Sequence, residues 1–228
     1  MVWGIGQRIC SALSVFCCLE FAFLAPLGVS AAWGQSLGPS NVRDCRPCSF
    51  SPGGSFPAYS FTFDLKTIGD ERIVETIEIA SQSSKVVQRV PVTGMEPVGK
   101  EEDFFFGGVD INFDGFLDLM LITRRGIANA YAAYWLFDPK TNVFTEVGIY
   151  AVFRVDPRRR RLSTYERGGS AGLLYESREY AFLDGQLTLM REEKQEATNQ
   201  VDVFRRVIRK RVGGVMKVVK AETLRAPK

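Results

Sequence analysis

One short segment of the sequence places oxygen-bearing side chains at alternating positions. It is the nine-residue run from Asp110 to Asp118, with Gly115 at its sixth position. This spacing matches the front of the EF-hand calcium loop, in which several oxygens converge on a hard cation and the glycine permits a sharp turn. We therefore predict one bound Ca²⁺ ion. Its ligands are the side chains of Asp110, Asn112, Asp114 and Asp118 and the backbone carbonyl of Phe116.

The segment departs from the EF-hand pattern at its end. Position 12, which holds a bidentate Glu in the helical EF-hand, is Leu121 in this chain. The flanking residues 104–109 and 119–123 are typical of strands. We therefore expect the loop to lie on a β scaffold and to bind calcium with a dissociation constant of about 10⁻⁴–10⁻³ M, as extracellular modules do. The alternative is a polar hairpin turn in which Asn and Asp serve turn chemistry alone.

The composition excludes several other kinds of site. The 228 residues include no histidine, so Ser-His-Asp triads, Cys-His pairs and His-ligated metal centres are impossible. Acidic residues are plentiful, but no two of them stand out as the carboxylate pair of a glycosidase. The net charge of +3 is too small to indicate nucleic acid as the partner. We therefore expect a non-catalytic protein that does not bind nucleic acid.

The elements that must position the loop are strands. Hydrophobic and polar side chains alternate through much of the chain, for example at Tyr59, Phe61 and Phe63, and period two is the period of a strand. Asp184-Gly185 and Gly213-Gly214 each separate two such segments, which is typical of tight hairpins. The sequence predicts a single antiparallel all-β domain over 58–228, either β-propeller-like or β-sandwich-like, with roughly ten or more strands. Residues 37–57 are rich in Pro, Gly and Ser and are predicted to form a loop-like lead-in.

The first 36 residues are typical of an export signal. Arg8 precedes a largely apolar stretch, and small residues follow at 30–32. A transmembrane anchor is the alternative, but Glu20 and Pro26 interrupt the apolar stretch. We predict that residues 1–36 comprise a signal peptide and the start of a linker. The mature protein would then have no membrane span and would be periplasmic or secreted.

Two cysteines, Cys45 and Cys48, remain after removal of this signal. In an oxidising compartment such a pair can close a small disulfide loop. The alternative is a redox site, which needs a helix start behind the first cysteine to lower its pKa. Residues 49–57 are instead rich in Pro, Gly and Ser. We therefore predict a structural disulfide between Cys45 and Cys48.

Two motifs resemble a known family. One is the calcium loop extended to Leu119, and the other is Tyr134-Trp135-Leu136-Phe137-Asp138-Pro139-Lys140-Thr141 with Phe144 following. Together they resemble the β-propeller-like immunity proteins of the bacterial periplasm, which protect type IV secretion donors from their own peptidoglycan-hydrolase effectors. That family is related in shape to periplasmic inhibitors of invertebrate-type lysozyme. The resemblance spans roughly residues 57–195, and residues 170–193 also follow the family's order.

The resemblance implies a role for one further loop. In the lysozyme inhibitors a Ser-Gly-x-x-Tyr loop enters the enzyme's cleft, and this chain has Ala171-Gly172-Leu173-Leu174-Tyr175 with Ser170 one place early. The resemblance implies that Ser170 and Tyr175 contact a protein partner. The alternative for Tyr175 is that it is an ordinary aromatic residue of a strand. The expected protein is exported, non-catalytic and calcium-binding, and neutralises a lysozyme-like peptidoglycan hydrolase. The alternative is a calcium-stabilised structural or surface interaction protein with no hydrolase partner.

Overall fold

The structure, a computed structural model, describes residues 40–41, 48–81, 85–99 and 104–226. All of them belong to one compact unit, Ala32–Lys228. The predicted signal at 1–36 and Cys45 lie outside the described residues. Across the described ranges, no helix has the length and apolar character needed to cross a membrane.

Antiparallel strands make up most of this unit, which confirms the predicted all-β fold class. Every strand pairing is antiparallel. In the part of the chain that the structure describes, one 3₁₀ turn is present, at Ser170–Gly172. The strands are β1 (Ser40–Asn41), β2 (Cys48–Phe50), β3 (Tyr59–Ile68), β4 (Glu71–Ala80), β5 (Val86–Pro91), β6 (Val98–Gly99), β7 (Phe105–Val109), β8 (Asp118–Arg125), β9 (Ala130–Asp138), β10 (Val143–Ala151), β11 (Arg154–Asp156), β12 (Arg161–Arg167), β13 (Tyr175–Leu183), β14 (Gln186–Ala197), β15 (Val203–Val212) and β16 (Val215–Arg225).

The strands form three sheets. In the N-terminal sheet the order is β2-β3-β4-β5, with β6 also paired to β4. The central sheet has the order β1-β7-β8-β9-β10, and the C-terminal sheet runs from β11 to β16 in chain order. Neighbours in the sheets are mostly neighbours in the chain, as hairpin connections require. The sheets are open, so the β-sandwich-like form is the one found.

The central sheet buries both of its faces. On β8, Leu119 and Leu121 belong to one hydrophobic cluster, while Met120 between them belongs to another. The first cluster includes Ile77 of the N-terminal sheet, and the second includes Leu162 of the C-terminal sheet. This three-layer arrangement explains the dense apolar run of β8, because a strand covered on both faces needs apolar residues at successive positions.

The lead-in predicted for 37–57 contains two short strands as well as turns. Ser40–Asn41 forms β1 and pairs with β7. Cys48–Phe50 forms β2 and pairs with β3. The Phe50 ring stacks on Phe61, with ring centroids 4.7 Å apart. Farther along, Phe56 packs edge-on against Phe137 at 5.0 Å. The Pro, Gly and Ser residues favour turns, but burial of these aromatic rings stabilises a strand locally, since strand preference follows packing.

Both predicted hairpins are present. Asp184 and Gly185 have φ values of 50° and 77° and connect β13 to β14. Gly213 and Gly214 have φ values of 62° and 82° and connect β15 to β16. Two successive positive φ angles are typical of the type I′ turn, whose twist matches that of the flanking strands.

Candidate functional site

The predicted calcium loop connects β7 to β8 in the central sheet. Val109, the last residue of β7, faces Asp118, the first residue of β8, in the ladder. The backbone N–H of Leu117 donates to the carbonyl of Pro52 at 2.7 Å, so the loop is also held to the segment that precedes β3. The predicted ligands therefore lie in one hairpin turn, with Asp110 and Asp118 at its two ends.

Asp110 is the residue around which this loop closes. Its Oδ1 accepts hydrogen bonds from the backbone N–H of Phe113 at 2.6 Å and of Asp114 at 3.2 Å. Its Oδ2 accepts from the N–H of Gly115 at 3.0 Å. Phe113 has a positive φ of 62° and Gly115 has one of 92°. The glycine adopts its positive φ without steric cost, because it has no Cβ atom. The loop thus curls around one carboxylate.

Asp118 joins the loop to the next strand of the sheet. Its Oδ2 accepts from the N–H of Ile111 at 2.9 Å, and its Oδ1 accepts from the N–H of Phe137 on β9, also at 2.9 Å. The residue is 0% exposed. The partner Phe137 lies within the Tyr-Trp-Leu-Phe-Asp-Pro motif, so the two motifs noted in the sequence meet at this side chain.

Asn112 and Asp114 form the exposed side of the loop. Nδ2 of Asn112 donates to Oδ2 of Asp114 at 2.9 Å, and the N–H of Asp114 donates to Oδ1 of Asn112 at 3.1 Å. The N–H of Phe116 donates to Oδ1 of Asp114 at 2.9 Å. These two side chains therefore face solvent, while Asp110 and Asp118 are covered by protein.

Among the described residues, the buried carboxylates have no basic partner. Burial raises the pKa of Asp110, against the lowering effect of its amide hydrogen bonds. Burial also raises the pKa of Asp118 well above its ordinary value, and the charges of Asp114 and Asp110 raise it further. Within the described ranges, no Lys or Arg forms a salt bridge with any of these three residues. Buried charges in proteins are normally paired or bound to a metal.

The predicted metal ligands are of the kind that a hard cation prefers, but their carboxylate oxygens already accept hydrogen bonds from backbone N–H groups. In the part of the chain that the structure describes, no group of three His, Cys, Asp or Glu side chains is arranged to hold a metal. All the predicted donors are oxygens, which is what calcium prefers. A carboxylate has about four lone-pair sites, so its amide hydrogen bonds leave it able to accept further bonds.

The predicted partner-binding loop is a tight, exposed turn. Ser170 and Ala171 have φ values of 54° and 53°, which is uncommon for residues other than glycine. The N–H of Gly168 donates to the carbonyl of Leu174 at 2.7 Å, and Nε2 of Gln195 donates to the carbonyl of Leu173 at 2.7 Å. These bonds hold a backbone whose left-handed residues cost about 1–3 kcal/mol each.

Tyr175 begins β13, directly after this turn. Its Oη donates to Oε1 of Glu193 at 2.7 Å. Its ring stacks on Tyr165, with ring centroids 5.5 Å apart. Burial and the hydrogen bond to Glu193 raise the pKa of Tyr175. Ser170 and Tyr175 therefore lie at the two ends of one short loop, and the phenol of Tyr175 is hydrogen-bonded to a residue of the same sheet.

A cavity of about 480 Å³ lies beside this loop. Leu174 and Tyr175 line one side of it, and Tyr131 and Glu166 line another. Oη of Tyr131 donates to Oε2 of Glu166. The sequence did not point to the pairing of these two residues, because they are 35 positions apart and meet only where the central and C-terminal sheets pack.

Cys48 is buried and disulfide-bonded. Its predicted partner, Cys45, lies outside the described residues. The pairing of Cys45 with Cys48 therefore stays a prediction.

Comparison with known proteins gives one structural similarity. No protein-family model matches the sequence, and no curated protein matches it. The structure is similar to the solved "Structure of a Xanthomonas Type IV Secretion System related protein", with 13% sequence identity and a TM-score of 0.48. That similarity covers 81% of this chain and 98% of the solved one. A likeness of this degree does not assign the chain to a family.

Proposed function

We propose that this protein binds one Ca²⁺ ion in the loop between Asp110 and Asp118. The observation that carries the proposal is the burial of Asp110 and Asp118 with no basic partner among the described residues, in a loop whose spacing is that of a calcium loop. Asp110, Asn112, Asp114, Asp118 and the carbonyl of Phe116 would hold the ion. Its charge would offset the repulsion between the carboxylates and stabilise the turn between two buried strands.

Thermal unfolding with and without calcium tests this proposal. For a dissociation constant of about 10⁻⁴–10⁻³ M, calcium at about 10 mM should stabilise the fold by about 1.4–2.7 kcal/mol. The melting temperature should therefore rise by about 3–10 °C, and a chelator should reverse the rise. Magnesium at the same concentration controls for ionic strength. Identical melting curves in calcium and chelator would count against the site.

We further propose that the protein is exported to the periplasm and neutralises a lysozyme-like peptidoglycan hydrolase without being an enzyme. The support is the resemblance of its two motifs to the immunity proteins, together with the signal-like residues 1–36 and the absence of histidine from the sequence. The turn at Ser170 and Ala171 adds support, because strained backbone in an exposed loop is often found where a protein acts.

Inhibition of purified hydrolases tests this second proposal. The chain without residues 1–36 should slow lysis of peptidoglycan by a lysozyme-like hydrolase, and the panel should include any hydrolase encoded beside its gene. Ser170→Arg should weaken the inhibition, because it adds a bulky charge to the proposed contact loop. Thr93→Arg adds the same charge at an exposed position on the N-terminal side of the fold and should leave the inhibition unchanged. Failure to slow any hydrolase would exclude this role.

A second candidate is a calcium-stabilised structural or surface interaction protein with no hydrolase partner. Two observations favour it: Ser170 stands one place early relative to the inhibitor motif, and the phenol of Tyr175 is committed to Glu193. In that case the protein should leave hydrolase activity unchanged, and a pulldown with it from envelope extracts should recover a scaffold or receptor. Recovery of a peptidoglycan hydrolase would exclude this candidate.

A further inference from the structure

Strand β16 is an edge of the C-terminal sheet. It pairs with β15 along its length, and no other strand of the described ranges lies on its far side. An edge strand presents unpaired N–H and C=O groups, which can pair with another chain. Val218 and Val219 on this strand are 58% and 49% exposed. A long edge with exposed β-branched residues is suited to pairing.

The first half of this edge is protected. The ladder shifts between Ile208 and Arg209, so β16 has one extra residue at the position of Val218 and Val219. Such a bulge disrupts pairing locally, and Lys217 adds a charge immediately before it. Beyond the bulge the register with β15 is regular, from Lys220 to Leu224. Pairing with a further strand is therefore favoured in the second half of β16.

The sequence of this second half is complementary to itself. If two copies pair antiparallel about a two-fold axis at Ala221, Lys220 of each copy faces Glu222 of the other. The paired segment is then Lys220–Glu222 of each copy, because the positions on either side of it face the bulge of the partner. Opposite charges that face each other across strands are stabilising, and like charges are destabilising.

Neighbouring registers lack this match. Moving the axis by one residue sets Lys220 against Lys220, or Glu222 against Glu222. Each alternative places like charges directly opposite each other on the axis. Ala221, by contrast, puts only a methyl group there. Charge complementarity therefore selects one register out of the three.

The charged side chains of this segment are already ordered within one copy. Nε of Arg206 donates to Oε1 of Glu222 at 2.6 Å. Nζ of Lys220 lies 2.9 Å from Oε2 of Glu222. Side chains that are ordered before association lose less conformational entropy on binding. The edge is thus preorganised for a partner with the same pattern of charges.

We propose that two copies of this chain pair through β16, antiparallel and with the two-fold axis at Ala221. The C-terminal sheets of the two copies then form one continuous twelve-stranded sheet, with six strands from each. The paired segment is short, so the interface is below about 1,200 Å² and the dimer is weak and dependent on concentration.

Cysteine cross-linking tests the register. In an antiparallel pair the Cα atoms of facing residues are about 4.5–5.5 Å apart, a distance that a disulfide can span. Ala221→Cys should therefore give a covalent dimer on oxidation, seen on a non-reducing gel. Val215→Cys is the matched control, since position 215 is also exposed but lies six residues from the axis. Its two sulfurs would be about 40 Å apart in the proposed dimer, so this variant should give no covalent dimer. Equal cross-linking of both variants, or none at position 221, would overturn the proposal.

Charge reversal gives an independent test that needs no cysteine. In the proposed register Lys220→Glu alone places four Glu together, and Glu222→Lys alone places four Lys together. Each variant should dimerise at least about tenfold more weakly than the unaltered chain. A mixture of the two variants should dimerise again. In the mixed dimer, both Glu residues of Lys220→Glu face the two Lys residues of Glu222→Lys.

Sedimentation velocity of the chain without residues 1–36, over about a hundredfold range of concentration, measures both effects. Circular dichroism checks that the variants fold. The proposal is overturned if the unaltered chain is monomeric throughout, or if the mixed variants associate no better than either variant by itself.

Discussion

Asp118 shows how a predicted metal ligand also contributes to the fold. Both of its oxygens accept backbone hydrogen bonds, one from Ile111 in the loop and one from Phe137 on β9. The residue is fully buried, and both of these hydrogen bonds are buried with it. Its side chain therefore fixes the 110–118 loop to the sheet through these two hydrogen bonds.

The first prediction concerns this residue. Asp118→Ala leaves two buried N–H groups without acceptors, which should cost about 2–5 kcal/mol of unfolding free energy, measured by urea denaturation in a chelator. Asp118→Asn keeps one acceptor oxygen in nearly the same shape and should cost less. Equal stability of Asp118→Ala and the unaltered chain would show that these hydrogen bonds do not hold the loop.

The second prediction separates metal ligation from turn chemistry. Asp114 is exposed and caps the N–H of Phe116. Asp114→Ala should abolish the rise in melting temperature that calcium produces, because one ligand is lost. The matched control is Asp138→Ala, since Asp138 also caps an exposed turn, accepting from the N–H of Lys140 and the hydroxyl of Thr141. That variant should keep the full calcium response. A calcium response retained by Asp114→Ala would contradict the assigned ligand set.

At the scale of elements, β9 connects the loop to the core. Phe137 is 1% exposed, and its ring lies 5.0–6.1 Å from the rings of Phe56, Tyr59, Phe116 and Phe144. Its backbone N–H also bonds Asp118. Packing of the first hydrophobic cluster therefore sets the position of one end of the loop.

The third prediction tests this coupling. Phe137→Ala should cost about 3–5 kcal/mol of unfolding free energy in urea, as aromatic truncation in a packed core does. It should also weaken the calcium response, because the loss of packing loosens the strand that holds Asp118. Ile127→Ala alters a fully exposed side chain and should change the stability by less than about 0.5 kcal/mol. Comparable losses in the two variants would contradict the assigned core.

The C-terminal sheet has a different source of stability, a row of charged residues across its strands. Burial by itself would raise the pKa of Glu193. Hydrogen bonds from Tyr175 and Arg191, with the charges of Arg191 and Arg206, together lower it below its ordinary value of 4.5. Because the folded pKa lies below the unfolded one, the ionised carboxylate stabilises the fold above pH 4.5. This contribution is lost as the pH falls through the folded pKa.

The fourth prediction follows from that shift. The unfolding free energy of the unaltered chain should fall more between pH 7 and pH 3 than that of Glu193→Gln, which lacks the titrating group. Comparing the two chains cancels the titration of the other carboxylates. Urea denaturation at several pH values gives the difference. Parallel pH profiles for the two chains would show that Glu193 contributes no pH-dependent stability.

At the scale of the whole molecule, local patterns predicted local structure well. Alternation at Tyr59, Phe61 and Phe63 indicated β3, and the Asp184-Gly185 and Gly213-Gly214 pairs indicated hairpins that the structure contains. The position of the predicted calcium loop between two strands was also evident, because its flanks are apolar and include β-branched residues. These features depend on residues close together in the chain, where turn chemistry and side-chain period act directly.

Features that depend on distant residues were not predicted. The bond from Phe137 to Asp118 joins residues 19 positions apart, and the hydrogen bond between Tyr131 and Glu166 joins two sheets. Strand β2 was missed because three residues among Pro, Gly and Ser carry little periodic signal, and its stability comes from Phe50 stacking on Phe61. The three-layer order of the sheets likewise follows from which faces pack, and a single strand's pattern does not specify its partner.

The most direct test of the proposed calcium site is a calcium titration of the chain without residues 1–36, measured by isothermal titration calorimetry. The proposed site predicts one ion per chain with a dissociation constant of about 10⁻⁴–10⁻³ M. It also predicts that Asp114→Ala abolishes this binding and Asp138→Ala does not. No calcium-dependent heat, or the same binding by Asp114→Ala as by the unaltered chain, would contradict a calcium site in the loop between Asp110 and Asp118.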